Sequence, residues 1–167
     1  MAKRSLLISI ITIFCISVVS CAKGNNVKDK VFTFWIYPQT LECYCLTFYN
    51  DNTLQVIAGN YEQNNQGEPI SIKKSIEKKE KKLSNENVDK ILDLLDEIYI
   101  NPNIKTDPSS KLNLISDAWT YKLEYKDKIV IQDSMIRTSK EIQNLSNILI
   151  NESPIKIDIV TKLGVFE

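Results

Sequence analysis

Two serine–lysine pairs come closest to a catalytic motif in this chain. Ser71 and Lys74, and then Ser75 and Lys78, have the S-x-x-K spacing in which a lysine amine activates a serine hydroxyl as a nucleophile. Sites of that kind also need S-D-N and K-T-G elements, and neither occurs in the sequence. In a stretch this rich in lysine, chance explains the spacing.

Histidine is absent from all 167 residues, and its absence removes most common enzymatic routes. Histidine is the usual general base near neutral pH and a frequent metal ligand. A Ser-His-Asp triad, a Cys-His pair and a histidine-ligated zinc site are therefore excluded within this chain. The sequence predicts no metal and no cofactor, and it favours a protein that is not an enzyme.

A group of carboxylates offers the other possible chemistry. Asp89, Asp93, Asp96 and Glu97 recur at helical spacing, so they cluster on one side of a predicted helix. Paired carboxylates can perform acid–base catalysis or bind a hard cation. A solvated helix face explains the cluster better. A hydrolase that uses Asp/Glu or Ser-Lys chemistry is thus the alternative to a non-catalytic binding protein.

Two cysteines belong to a predicted strand. Cys43 and Cys45 are two residues apart, so both side chains point to the same face of that strand. Their Cα atoms are expected about 6.6 Å apart, at the edge of the range for a disulfide. We expect two small buried residues, and a strained or redox-active pair is the alternative.

The tract from Lys73 to Lys82 holds six lysines and two glutamates. We single out Lys73, Lys74, Lys78 and Lys79, because each lysine near an anionic surface can add about 1 kcal/mol to binding. The partners that this tract could bind are an anionic polymer, a lipid headgroup or an envelope protein. The alternative is an edge strand whose charges prevent pairing with other chains.

Aromatic residues provide a second candidate surface. Trp35, Trp119 and Tyr121 could line a groove, which would make the protein a carrier of a small ligand. Core packing is the alternative explanation. Residues 101–117, just before Trp119, form an unusually long predicted connection, and long loops are often functional. A partner or ligand surface is therefore predicted at Trp119 and Tyr121.

The first twenty-one residues have the three parts of a secretory signal peptide. Lys3 and Arg4 give a positive start, residues 6–19 form an apolar run of 14 residues, and small residues precede Cys21. The run is shorter than the roughly 20 residues that a membrane-spanning helix needs. The segment is therefore predicted to be cleaved.

Val18-Val19-Ser20-Cys21 resembles the lipobox of bacterial lipoproteins, in which the cysteine is acylated and becomes the first mature residue. The resemblance implies that residues 1–20 are removed and that Cys21 carries fatty acyl chains such as palmitate in a membrane. Residues 21–30 then form a lipidated, flexible tether. Ala22 is not the aspartate that retains lipoproteins in the inner membrane of enterobacteria, which favours the outer membrane of a Gram-negative envelope.

The layout after the lipobox is similar to that of the small uncharacterised lipoproteins of AT-rich Bacteroidota, with a short tether, hairpins and two helices. Asp133-Ser134-Met135 resembles the Asp-Ser/Thr-hydrophobic sequon on which Bacteroidota O-glycosylate exported proteins. This resemblance makes Ser134 a candidate O-glycosylation site.

Removal of residues 1–20 leaves 147 residues, enough for one domain with its own core. These residues include 19 basic and 21 acidic side chains, a formal balance of −2. Such a surface has no general attraction for nucleic acid or for an anionic membrane. We expect a single α+β domain over residues 31–167, in a non-catalytic, lipid-anchored binding or accessory protein of the cell envelope.

Hydrophobic periodicity predicts the order β-β-β-(β)-α-β-β-α. Strands are predicted at 31–37, 41–49, 54–58, 118–125 and 128–133. Gly59 to Gly67 are expected to form a loop, and residues 69–83 a long polar edge strand, although a helix also fits them. Hairpins of this kind predict an antiparallel sheet with two helices packed on one face.

The helix boundaries follow from capping residues. Ser84 is the predicted N-cap of a helix from about Asn85 to Tyr99. A second helix is predicted to begin at Thr138, where Thr138 and Glu141 match a capping box. Alternating isoleucines at 155, 157 and 159 suggest a short final strand.

Overall fold

Six antiparallel strands and two helices make up the fold in the computed structural model, which describes residues 28–38, 42–65, 67–101, 104, 119–134 and 139–157. The strands are β1 Lys30–Tyr37, β2 Glu42–Tyr49, β3 Thr53–Gln63, β4 Pro69–Lys82, β5 Thr120–Tyr125 and β6 Lys128–Ser134. The helices are α1 Asn85–Ile100 and α2 Lys140–Glu152. The strands form one sheet in the order β4-β3-β2-β1-β5-β6. The predicted α+β fold is confirmed.

The two helices cover one face of this sheet. Phe32, Phe34 and Ile36 of β1 are fully buried on that face and belong to the same apolar cluster as the helical stripes. The buried stripe residues of the two helices are Val88, Ile91, Leu95, Ile98, Ile142, Leu145 and Leu149. This cluster is the main core, and it joins the helices to the central strands.

The opposite face of the sheet carries a second, smaller core made of strand residues. Its buried members are Trp35, Tyr37, Cys43, Cys45 and Tyr61. Because successive side chains of a strand point to opposite faces, β1 contributes to both cores. From Phe32 to Tyr37, every residue of β1 is buried.

The sheet curls over this second core. Lys122 of β5 is 3 % exposed, and its Nζ donates to the carbonyl oxygen of Pro69 at the start of β4, at 2.7 Å. The two strands stand four positions apart in the sheet, which in a flat sheet is about 19 Å. A lysine side chain cannot bridge that distance, so the start of β4 must fold back over the second face.

Three irregularities in the β3–β4 ladder accompany this bend. The register leaves Ile70, Lys73 and Ile76 of β4 without an opposite residue on β3. Such bulges bend a strand and increase its twist. At Gly59 the two strands approach so closely that a Cβ atom would overlap the carbonyl oxygen of Lys74. Glycine is therefore required at this position by backbone contact.

The structure corrects several predicted boundaries. β3 continues to Gln63, so the predicted loop at Gly59–Gly67 is wrong over its first half, because β4 pairs with these polar residues and Tyr61 joins the second core. The second helix is capped by Ser139 instead of Thr138, since the Ser139 side chain accepts from the backbone N–H of Ile142 at 3.4 Å. The Ser84 cap is confirmed.

The described residues bear on both ends of the predicted domain. Lys28 and Asp29 are already bonded to the domain, before its predicted boundary at residue 31. Ile155 and Ile157 are buried but belong to no strand within the described residues. The predicted signal segment, Cys21, Ile159 and most of the 101–117 connection lie outside the described residues.

Gly59→Ala is expected to lower the free energy of unfolding by about 1–3 kcal/mol, the usual cost of forcing extra atoms into a well-packed site. The reason is overlap with the Lys74 carbonyl, a backbone group that cannot rotate away. Urea unfolding measures the change. Ser75→Ala, at the exposed residue directly opposite Gly59, is the control and should shift stability by less than about 0.5 kcal/mol. Equal midpoints for the two variants would contradict this account.

Candidate functional site

The lysine tract becomes the outer edge of the sheet. β4 pairs with β3 on one side, and no strand of the described residues pairs with its other side. The predicted long edge strand is confirmed, with bounds Pro69–Lys82. We call the exposed side chains at Ile70, Lys73, Lys74, Ile76 and Lys78 the β4 edge.

Internal ion pairs divide the six lysines into two groups. Three of them bind carboxylates: Lys79 with Glu77 at 2.6 Å, Lys81 with Glu152 at 2.8 Å and Lys82 with Asp51 at 2.9 Å. Lys73, Lys74 and Lys78 form no ion pair within the part of the chain that the structure describes. Of the four lysines predicted as a partner surface, Lys79 is thus neutralised locally and the other three remain available.

The three available lysines point in different directions from the outer edge of the sheet. Lys78 stands opposite Ile57, which packs against the second core, so it lies on the second face. Lys74 stands opposite Asn60 and lies on the helix-covered side. Lys73 is the extra residue of the next bulge, between Lys74 and Ile72. A partner that approaches β4 from outside therefore meets all three.

Two isoleucines interrupt this basic rim. Ile70 is 58 % exposed and Ile76 is 65 % exposed, and both are bulge residues with no opposite residue on β3. A bulge residue is left out of the ladder, which explains why these large apolar side chains are not covered by the domain itself. The β4 edge is therefore both basic and apolar.

The N-terminal segment joins the fold beside this edge. The Lys28 ammonium pairs with Glu80 of β4 at 2.8 Å, and the Asn50 backbone N–H donates to the Asp29 carbonyl at 2.9 Å. Glu80 also accepts from the Gln55 side chain at 2.6 Å. These bonds hold the entering chain at the end of the sheet where the β2–β3 turn meets β4.

Charge pairing at this entry point shifts two carboxyl pKa values. The hydrogen bond from Lys82, followed by those from Thr53, lowers the pKa of Asp51 to about 2. The hydrogen bond from Lys28, followed by that from Gln55, lowers the pKa of Glu80 below its ordinary value. Both carboxylates therefore stay ionised at any pH near neutrality and act as fixed structural charges.

The aromatic residues do not form the predicted common groove. Trp35 lies in the second core, on the face opposite Tyr121. Tyr121 is 1 % exposed and stacks on Phe34 with ring centroids 5.9 Å apart, so it packs in the main core. Trp119 is partly buried and stacks on Tyr44 at 6.2 Å. Of the two residues predicted as a surface near the long connection, Trp119 alone is accessible in part.

The two strand cysteines are buried free thiols in the second core. Burial raises the pKa of both Cys43 and Cys45 to about 12. Because the thiolate is the reactive form, neither cysteine is activated for nucleophilic or redox chemistry near neutral pH. Their placement fits the role of small buried residues.

The Ser-Lys spacing falls on a strand, where it has a different geometry from a helix. Residues three apart on a strand are about 10 Å apart along the chain, whereas on a helix they are neighbours. The Ser71 hydroxyl donates to Glu62 at 2.7 Å.

The four predicted carboxylates lie on α1. The Asp96 carboxylate accepts from the Tyr125 hydroxyl at 3.1 Å, and Asp89, Asp93 and Glu97 are exposed.

Sequence reasoning missed a cleft of about 590 Å³ at the β5–β6 turn. Lys30 of β1 and Lys126, Lys128 and Ile129 of the hairpin contribute to its lining. The turn itself was predicted, because the strands expected at 118–125 and 128–133 leave Lys126 and Asp127 between them, and both residues adopt positive φ there. The contribution of β1 depends on a long-range strand pairing that the sequence does not reveal.

Ser134, the candidate glycosylation site, is the last residue of β6.

No protein-family model, no curated protein and no solved structure matches this chain. Among the described residues, no helix has the length and apolar character required to cross a membrane. Within the same residues, no group of three or more cysteine, aspartate and glutamate side chains is arranged to hold a metal ion.

Asp51→Asn is expected to lower the urea midpoint at pH 6 and to lower it much less near pH 2. The folded-state pKa of about 2 lies below the ordinary value of 3.8, so the carboxylate stabilises the fold above about pH 4. That contribution is lost as the pH falls towards 2. Urea unfolding of both proteins at the two pH values measures the difference.

Asp89→Asn is the matched control for this pH dependence. Asp89 is an exposed carboxylate on α1, and its replacement should change the midpoint little at either pH. A midpoint difference between the wild type and Asp51→Asn that is the same at pH 6 and pH 2 would show that the Lys82 and Thr53 bonds do not hold this carboxyl in its charged form.

Proposed function

We propose that the chain is a non-catalytic, lipid-anchored binding or accessory protein of a bacterial cell envelope, attached to the outer membrane through Cys21. The observation that carries the proposal is the place where the N-terminal segment enters the fold. Lys28 is bound to Glu80 of β4, so the segment that bears the predicted lipid site arrives beside an exposed basic and apolar strand. The described chain therefore begins, at Lys28, next to the strand that we propose as the binding surface.

The chemistry of the residues supports binding over catalysis. Histidine is absent from the chain, the Ser-Lys pairs lie along a strand, and burial raises the pKa of both strand cysteines to about 12. Lys73, Lys74 and Lys78, by contrast, leave positive charge at the rim of the sheet. A partner with negative charge fits this surface, and it can be an anionic polymer, a lipid headgroup or an acidic envelope protein.

Cys21→Ser is expected to abolish acylation. The wild-type protein should partition into the detergent phase and show an intact mass that exceeds residues 21–167 by a diacylglycerol and an acyl chain. The serine variant should lack that added mass, because a hydroxyl does not replace the thiol in thioether formation. Cys15→Ser, within the predicted signal segment, is the matched control and should be acylated normally. An unmodified wild-type mass would remove the anchor from the proposal.

Photo-crosslinking in intact cells tests the binding function. A photoreactive residue at position 74 should capture an envelope component, because Lys74 is exposed on the β4 edge. The same residue at position 90, which is exposed on α1, should capture much less. Equal capture from both positions would contradict a binding role for the edge. Capture of cytoplasmic proteins alone would show that the first twenty-one residues are not an export signal.

A further inference from the structure

We propose that the β4 edge is a second membrane contact, which docks the domain onto the anionic phospholipid surface that holds the lipid on Cys21. The inference rests on the proposed function for the anchor and adds the partner of the edge. The observation that carries it is the combination, on one strand, of three lysines that form no ion pair among the described residues and two exposed isoleucines.

The length of the tether places the edge within reach of the bilayer. Six residues lie between Cys21 and Lys28, and the seven Cα–Cα steps that join them span at most about 25 Å. Lys28 is fixed to Glu80, which is two residues from Lys78 and therefore points to the same face of β4. The lipidated cysteine is thus within about 25 Å of Lys28, which is bound beside Lys78, the nearest lysine of the β4 edge.

The charge pattern fits an anionic surface. The three lysines near the β4 C-terminus are bound by carboxylates of the domain, whereas Lys73, Lys74 and Lys78 project from the rim without such partners in the described residues. Each lysine near an anionic bilayer strengthens binding about fivefold. Three lysines together account for roughly a 100-fold increase in partitioning.

The isoleucines favour a lipid over a hydrated polymer. Ile70 and Ile76 are more than half exposed and leave the ladder at bulges on either side of Lys73 and Lys74. Apolar side chains beside basic ones match the interfacial region of a bilayer, where the former enter the acyl boundary and the latter contact headgroups. A hydrated polyanion offers no such apolar region, so it would bind the lysines and leave both isoleucines in water.

The test uses the mature chain with Cys21→Ser, so that the acyl chains do not mask the contact. We expect this protein to sediment with vesicles that contain equal amounts of phosphatidylglycerol and phosphatidylcholine and not with pure phosphatidylcholine vesicles. Binding should weaken as the salt concentration rises. Lys73→Gln, Lys74→Gln and Lys78→Gln combined should reduce partitioning by roughly 100-fold.

Two further variants separate docking from general charge attraction. Lys90→Gln, Lys128→Gln and Lys140→Gln combined remove the same charge from exposed positions elsewhere and should retain most of the binding. Ile70→Ser with Ile76→Ser should weaken vesicle binding while leaving the net charge unchanged. Circular dichroism checks that each variant is folded, which we expect because every replaced side chain is exposed.

Three outcomes would overturn the docking proposal. They are equal loss of binding in the two triple-lysine variants, vesicle binding that does not depend on phosphatidylglycerol, and binding to dextran sulfate without binding to the vesicles. None of these results affects the mass measurement on Cys21. Conversely, an unmodified Cys21 would remove the anchor and leave the vesicle result of the unlipidated chain intact, so the two proposals fail separately.

Discussion

The burial of β1 on both faces is the constraint on which the rest of the structure depends. Phe32, Phe34 and Ile36 face the helices, while Trp35 and Tyr37 alternate with them and face the other way. Two amphipathic helices can cover only one of these faces. The second face must be buried by the sheet itself, because exposed tryptophan and tyrosine side chains would each forfeit a large burial area.

The curled β3–β4 hairpin satisfies that constraint, and its geometry explains the unusual residues along it. Gly59 allows the backbones of β3 and β4 to approach each other, and the bulges of β4 bend that strand. Lys122 holds the start of β4 in place by its hydrogen bond to the Pro69 carbonyl. A buried ammonium is costly unless it is paired and hydrogen-bonded, and Glu124 at 2.7 Å completes its partners. The same bulges expel Ile70 and Ile76 from the ladder, so the exposed apolar residues of the β4 edge are a by-product of closing the second core.

Local patterns in the sequence predicted the hairpins, both helices and the edge character of β4, because alternation, helical stripes and caps are short-range signals. They did not reveal that β1 pairs with β5, since that pairing joins residues almost ninety positions apart. The cleft at Lys126 depends on this pairing and was missed for the same reason. The second core was missed because β4 folds back over that face, which the contact between Lys122 and Pro69, 53 positions apart, shows. Within the lysine tract, Lys79 and Lys78 each have a glutamate two residues away, and the sequence does not show that Glu77 binds Lys79 whereas Glu80 binds Lys28.

The composition of the bulges separates a protective edge from a binding edge. Bulges and lysines both prevent a strand from pairing with another chain, and Lys73 fits that role. Isoleucine at Ile70 and Ile76 does not, because an exposed apolar residue on an edge promotes association. Polar residues at these bulges would bend the strand equally well. The fold therefore requires the bulges but not their isoleucines, and the proposed contact with a bilayer would account for the difference.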